Sequence, residues 1–122
     1  MRDTIKKHSD FLMSDEDPTA RSPYFFVRAK HARFPENPRV GFTATKRTFK
    51  LAVERNRAKR LLRDWVRFHN DLMCDMFDYV FIARPQILEA TRESGRIAIE
   101  KALRYIAYKY VPKKKHKNAK HS

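Results

Sequence analysis

Between residues 46 and 68 the apolar positions repeat with the period of a helix. Ala58, Leu61, Leu62, Trp65, Val66 and Phe68 fall at the i, i+3, i+4, i+7 spacing of a buried stripe. No Pro or Gly interrupts the run, and Leu, Ala, Arg and Lys are good helix formers, so the spacing predicts a helix over about residues 49–69. The opposite arc carries Arg55, Asn56, Lys59, Arg60, Arg63 and Arg67, with Arg57 at its margin.

Upstream, Thr4 to Met13 predicts a short helix anchored by Ile5, Phe11 and Leu12. Ser14 to Pro18 predicts a loop containing Asp15, Glu16 and Asp17. Pro23 to Lys30 is aromatic and β-branched, which predicts a strand. Phe25 and Val27 would share one face, and Tyr24, Phe26 and Arg28 the other. Pro35 and Pro38 mark a turn, and Arg39 to Thr45 predicts a second strand antiparallel to the first. Beyond the central helix, Asp78 to Arg84 is a near-continuous apolar run stopped by Pro85, a strand covered on both faces. A last helix over about residues 89–111 has Ile99, Leu103, Ile106 and Tyr110 on one stripe, with Pro112 as its stop. This organisation gives one domain over residues 1–112 and a basic, disordered tail over 113–122.

Charge changes the picture of the central helix. The chain has 28 Lys and Arg against 14 Asp and Glu, a formal net charge of +14 over 122 residues, and a pI near 10.3. One domain of this length buries about 65% of its unfolded surface. A solvated helix face normally mixes both signs in i, i+4 pairs, whereas here only Glu54 and Asp64 oppose the cations. Most of those cations are Arg, whose planar fork suits bidentate phosphate contacts. The arc therefore predicts a polyanion surface.

The chemistry of an autonomous enzyme is missing. Only Gly41 and Gly95 occur, so there is no Gly-rich phosphate loop. His8, His31, His69, His116 and His121 show no i, i+4 ligand pairing, and Cys74 stands alone, which excludes an intramolecular disulfide and the usual zinc arrangements. His69, on the apolar margin of the central helix, predicts a core or capping role. The acidic loop reads as solvated and not as a metal site, because ligand geometry needs a rigid frame. No stretch approaches the roughly 18 apolar residues of a membrane span, and residues 1–7 lack the apolar core of a signal peptide; the cytoplasm is the expected setting. What remains is binding: phosphate contacts from the arginines, and stacking of unpaired bases on exposed sheet aromatics, with Tyr24 and Phe26 as candidates.

Arg55-Asn56-Arg57-Ala58-Lys59-Arg60-Leu61-Leu62-Arg63 closely resembles the Arg-Asn-Arg signature of the bacterial ribonuclease P protein family. Ser9-Asp10-Phe11, Val40-Gly41-Phe42, Lys46-Arg47, Ala52-Val53 and Asp78 to Arg84 flank it in family order. The resemblance implies an α+β fold, a single-domain two-layer α-β sandwich in the order αββαβα with a left-handed βαβ crossover, like a domain of a small-subunit ribosomal protein. It implies a protein subunit that binds the catalytic RNA of ribonuclease P and the 5′ leader of precursor tRNA, while the RNA carries the active site and its Mg²⁺. No cofactor held by the protein alone and no protein partner are implied. Lys46, Arg47, Arg55, Asn56, Arg57, Lys59, Arg60, Arg63 and Arg67 would contact RNA; Phe11, Tyr24, Phe26 and Arg28 would line the leader cleft. The chain departs from the family pattern in three places: Phe49 and Lys50 replace a usual Gly, Asp15 stands where a second cleft aromatic is expected, and Arg28 stands where relatives often carry an aromatic. Two other classes compete with this reading: a basic structural RNA-binding protein such as a ribosomal component, and a nuclease using the acidic loop.

Overall fold

Along Phe25–His31, burial alternates: Phe25, Val27 and Ala29 are sealed, while Phe26, Arg28 and Lys30 are half-exposed. In the computed structural model, which describes residues 3–5 and 18–120 (side chains for 4, 5 and 18–109), this segment is a strand of a five-stranded sheet. The strands in chain order are β1 (Asp3–Thr4), β2 (Thr19–Arg21), β3 (Phe25–His31), β4 (Arg39–Thr43) and β5 (Phe77–Ala83). The helices are α1 (Ala52–Phe68) and α2 (Arg92–Lys120), each preceded or followed by a short 3₁₀ turn, Asn70–Leu72 after α1 and Pro85–Glu89 before α2.

The sheet order is β1-β4-β5-β3-β2. Strand β5 takes the centre because its side chains are apolar toward both faces: Tyr79, Val80 and Phe81 are all buried. It pairs antiparallel with β3, from Phe25↔Ala83 to His31↔Phe77, and parallel with β4, from Val40↔Tyr79 to Thr43↔Ile82. Strands β3 and β4 therefore run in opposite directions, as the sequence predicts, yet they are not neighbours; β5 lies between them.

Pairing brings Phe25, Val27, Tyr79, Phe81, Val40 and Phe42 to the face covered by the helices. Phe81 packs edge-on against Phe25 and stacked on Phe42, both at 5.8 Å between centroids. Helix α1 lies over β4 and β5, α2 packs against β2, and the two helices touch. The result is the two-layer α+β sandwich, with one core formed by the sheet and both helices.

Three elements depart from the sequence expectations. The helix predicted from Thr4 does not start there: Asp3–Thr4 pairs parallel with β4, and the buried Ile5 donates its N–H to the Val40 carbonyl at 3.0 Å. Two β-branched residues beside an open strand edge favour that outcome; the remainder of the predicted helix, Phe11 and Leu12 included, and the acidic loop lie outside the described residues. Helix α1 begins at Ala52 and not near residue 49, because Phe49 is buried as an anchor and its N–H closes a turn onto the Thr45 carbonyl. Helix α2 continues to Lys120, past Pro112 and through the tail expected to be disordered. An internal proline removes one i→i−4 bond and kinks or breaks a helix at a cost of about 3 kcal/mol; here the helix is carried past it.

One position on α1 is also reassigned. Ala58, Leu62, Trp65 and Val66 are fully buried, but Phe68 is 56% exposed. At 100° per residue it lies roughly 100° from the centre of the stripe, at its edge. Its ring is instead a platform for the Arg96 guanidinium, 3.8 Å above the centroid. His69 caps the helix, its N–H directed at the Trp65 and Val66 carbonyls, in line with the capping role expected for it.

Candidate nucleic-acid interface

The packing of α1 decides which of its cations point outward. With Ala58, Leu62, Trp65 and Val66 against the sheet, Asn56, Arg57, Arg60, Arg63 and Arg67 are exposed and Lys59 is half-buried. Lys46 and Arg47 are exposed on the turn that leads from β4 to α1. Among the described residues, the side chains of Arg57, Arg60 and Arg67 take part in no hydrogen bond, ion pair or ring contact, which leaves their forks for an external acceptor. Arg63 rests 5.6 Å above the Phe42 ring, so its guanidinium is oriented at the junction of helix and sheet. The opposing carboxylates do little to neutralise the arc. Glu54 sits in the first turn of α1, where it complements the helix dipole, and Asp64 faces Arg96 at 4.0 Å.

Arg55 belongs elsewhere. The sequence places it on the outward arc, but it lies roughly 40° from the centre of the buried stripe and is half-buried. Its Nη1 donates to the Phe49 carbonyl at 2.8 Å and the Lys50 carbonyl at 3.2 Å. Leu51 offers no capping side chain, so Arg55 ties down the turn that bears Lys46 and Arg47. Thr45 helps from the other side, its Oγ1 accepting from the Thr48 N–H at 3.2 Å.

A second surface lies on the sheet face away from the helices. The register aligns Arg21, Phe26 and Ile82 in one row and Thr19 and Arg28 in the next, beside the buried Val80. Phe26 is flanked by two guanidinium groups, Arg84 at 4.8 Å and Arg21 at 5.6 Å from its ring centroid. An aromatic ring between cations presents a π-face and phosphate partners together, the combination that unpaired nucleotides use. Of the residues expected to line the cleft, Phe26 and Arg28 are here, Phe11 lies outside the described residues, and Tyr24 is not. The strand alternation starts only at Phe25; before it, Ser22 Oγ accepts from the Tyr24 and Phe25 N–H groups and turns Tyr24 to the helix side. There its ring lies 6.1 Å from Trp65.

Arg21 and Arg84 are the cations the sequence reading missed. Arg84 was legible in principle, two residues after Ile82 and thus on the same face; its Nη1 also donates to the Ser22 carbonyl at 3.0 Å. Arg21 needed the β2–β3 register, which no local pattern reveals.

Among the described residues, no three His, Cys, Asp or Glu side chains come together as a metal site, and no helix is long and apolar enough to cross a membrane. The buried Asp78 is structural: it accepts from the Arg39 N–H at 2.7 Å, from Arg39 Nη2 at 3.3 Å and from the Arg33 N–H at 3.4 Å.

A model of the Ribonuclease P family matches residues 2–107. A ribonuclease P protein component of Brucella suis is 36% identical over 95 residues, covering 70% of this chain and 67% of the relative. One from Caulobacter vibrioides is 42% identical over 96 residues, covering 76% and 62%. Among solved structures, the Staphylococcus aureus RNase P protein matches with a TM-score of 0.66 at 25% identity, over 84% of this chain and 93% of that one. The Thermotoga maritima RNase P protein shares the fold at 20% identity, with a TM-score of 0.66 over 82% and 94%. With the family model spanning residues 2–107, this chain belongs to the ribonuclease P protein family.

Proposed function

We infer that this chain is the protein subunit of ribonuclease P, which binds the catalytic RNA and the 5′ leader of precursor tRNA and assists removal of that leader. The observation that carries the reading is the outward row of Arg57, Arg60, Arg63 and Arg67 on α1, within and just beyond the family signature and anchored on a fully buried opposite face. Phosphate contacts from such a row fix register and affinity without reading sequence. Lys46 and Arg47, on the turn held by Arg55, extend it toward the helix N-terminus. The face bearing Phe26, Arg28 and Arg84 offers the single-stranded leader rings and guanidinium planes to stack on.

On this reading the protein's part is positioning. Cleavage would fall to the RNA, whose bound Mg²⁺ would supply the activated water and charge neutralisation of phosphodiester hydrolysis. The protein adds cations beside the scissile region, which lowers the repulsion between leader and RNA. Its compartment is that of precursor tRNA in a bacterial cell, the cytoplasm.

The test is reconstitution. Purified chain added to the catalytic RNA at low Mg²⁺ should raise precursor tRNA cleavage, and protein alone should cleave nothing. Unchanged cleavage by the RNA in the presence of the protein would refute the proposal.

A further inference from the structure

On the helix side of the sheet, at its β2 edge, the hairpin of β2 and β3 and the flank of α2 enclose a groove of about 660 Å³. That is the size range of a ligand-binding cleft. Tyr24 and Tyr105 form aromatic walls, Arg21 and Lys101 supply charge, and no carboxylate is among the described residues that line it. Its α2 wall is unusually exposed for an apolar surface: Ile97 is 46% and Tyr105 44% accessible. A further cation, Lys109, stands with its Nζ 5.6 Å from the Tyr105 ring. Apolar rings interleaved with cations suit an unpaired polynucleotide, whose bases stack while its phosphates meet the positive charge.

Arg21 decides which polynucleotide. It lines this groove and also reaches over Phe26, on the opposite face of the sheet. The edge strand is only three residues long, and the Arg21 side chain reaches both surfaces. A strand lying across Phe26 and Arg28 crosses from β5 to β2 in about 10 Å, two strand spacings, and then meets the groove mouth. We propose that the groove holds the distal nucleotides of the precursor's 5′ leader, those beyond the segment on the open sheet face, with a base between Tyr24 and Tyr105 and phosphate on Arg21 and Lys101. The proposal rests on the leader-binding role stated above and extends the leader's path around the sheet edge.

The experiment uses the holoenzyme reconstituted with its catalytic RNA and precursors whose leaders are lengthened one nucleotide at a time. Tyr105→Ala and Lys101→Gln alter exposed side chains, and far-UV melts check that both variants fold. For the unaltered protein, affinity should rise as the leader passes the open face. Both variants should lose that last increment, on the order of fivefold or more for the ring, the lower end of one base–aromatic stack. Short-leader affinity should stay as it was. An unaltered length profile in both variants would exclude leader from the groove, and weaker binding of the catalytic RNA without precursor would assign the groove to that RNA instead. Arg28→Ala separates the two readings: if it too leaves every leader's affinity unchanged, the role of the open face falls, and this extension with it.

Discussion

Gly95 on α2 lies directly against the indole of Trp65 on α1. A Cβ at Gly95 would overlap the Cε2, Cζ2 and Cδ2 atoms of that ring, and Trp65 is fully buried with no room to swing away. The absence of a side chain at Gly95 is what allows the two helices to meet over the sheet.

Gly95→Ala therefore sets two effects against each other. Helix propensity favours Ala by about 1 kcal/mol, whereas forcing a methyl into a packed core costs about 1–3 kcal/mol and sometimes more. Because the obstacle is a rigid ring locked by its neighbours, the steric term should win. Urea unfolding should show a lower midpoint at unchanged slope; a stabilised variant would contradict the contact.

Leu62 and Phe68 look equivalent in the helical pattern and should not behave alike. Leu62 is fully buried and Phe68 is 56% exposed. Leu62→Ala should cost about 2–5 kcal/mol as a core truncation. Phe68→Ala should cost about 1 kcal/mol, mainly the loss of its contact with Arg96. Equal losses in urea melts would mean that α1 is rotated from the orientation described.

Arg60 and Arg55 divide in the same way. Arg60→Ala should weaken assembly with the catalytic RNA by about 1–3 kcal/mol and reduce the log-log salt slope by nearly one unit, with thermal stability unchanged. Arg55→Ala removes the donor to the Phe49 and Lys50 carbonyls, so it should lower the stability of the free protein by about 1–3 kcal/mol. A salt slope that drops for Arg55→Ala and not for Arg60→Ala would reverse the assignment.

Asp78 is fully buried and paired with Arg39, itself 9% exposed. Asp78→Ala removes a buried carboxylate from that guanidinium, and breaking such a pair costs about 3–5 kcal/mol. Replacing both residues, Asp78→Ala with Arg39→Met, should recover part of the loss. A double variant no more stable than Asp78→Ala would show that packing, and not charge, dominates there.

Much of this was legible in the residues themselves. The spacing of Ala58, Leu62, Trp65 and Val66 identified the buried side of α1. The alternation from Phe25 to Ala29 identified the inner face of β3, and the unbroken apolar run through Phe81 identified a strand covered on both sides. Each is a local regularity: the backbone repeats every 3.6 or every 2 residues, so the side-chain pattern reports the face directly.

The tertiary structure decided what no repeat encodes. That β5 separates β3 from β4, that Thr4 and Ile5 extend along β4, and that Arg21 stands beside Phe26 all depend on pairings between distant segments. Tyr24, Arg55 and Phe68 each sit at the end of an element or the edge of a stripe, where the period no longer determines direction and a single contact does: Ser22 Oγ for Tyr24, the Phe49 carbonyl for Arg55, the Arg96 guanidinium for Phe68. Local geometry thus set the faces, and the burial of one shared core set which faces meet.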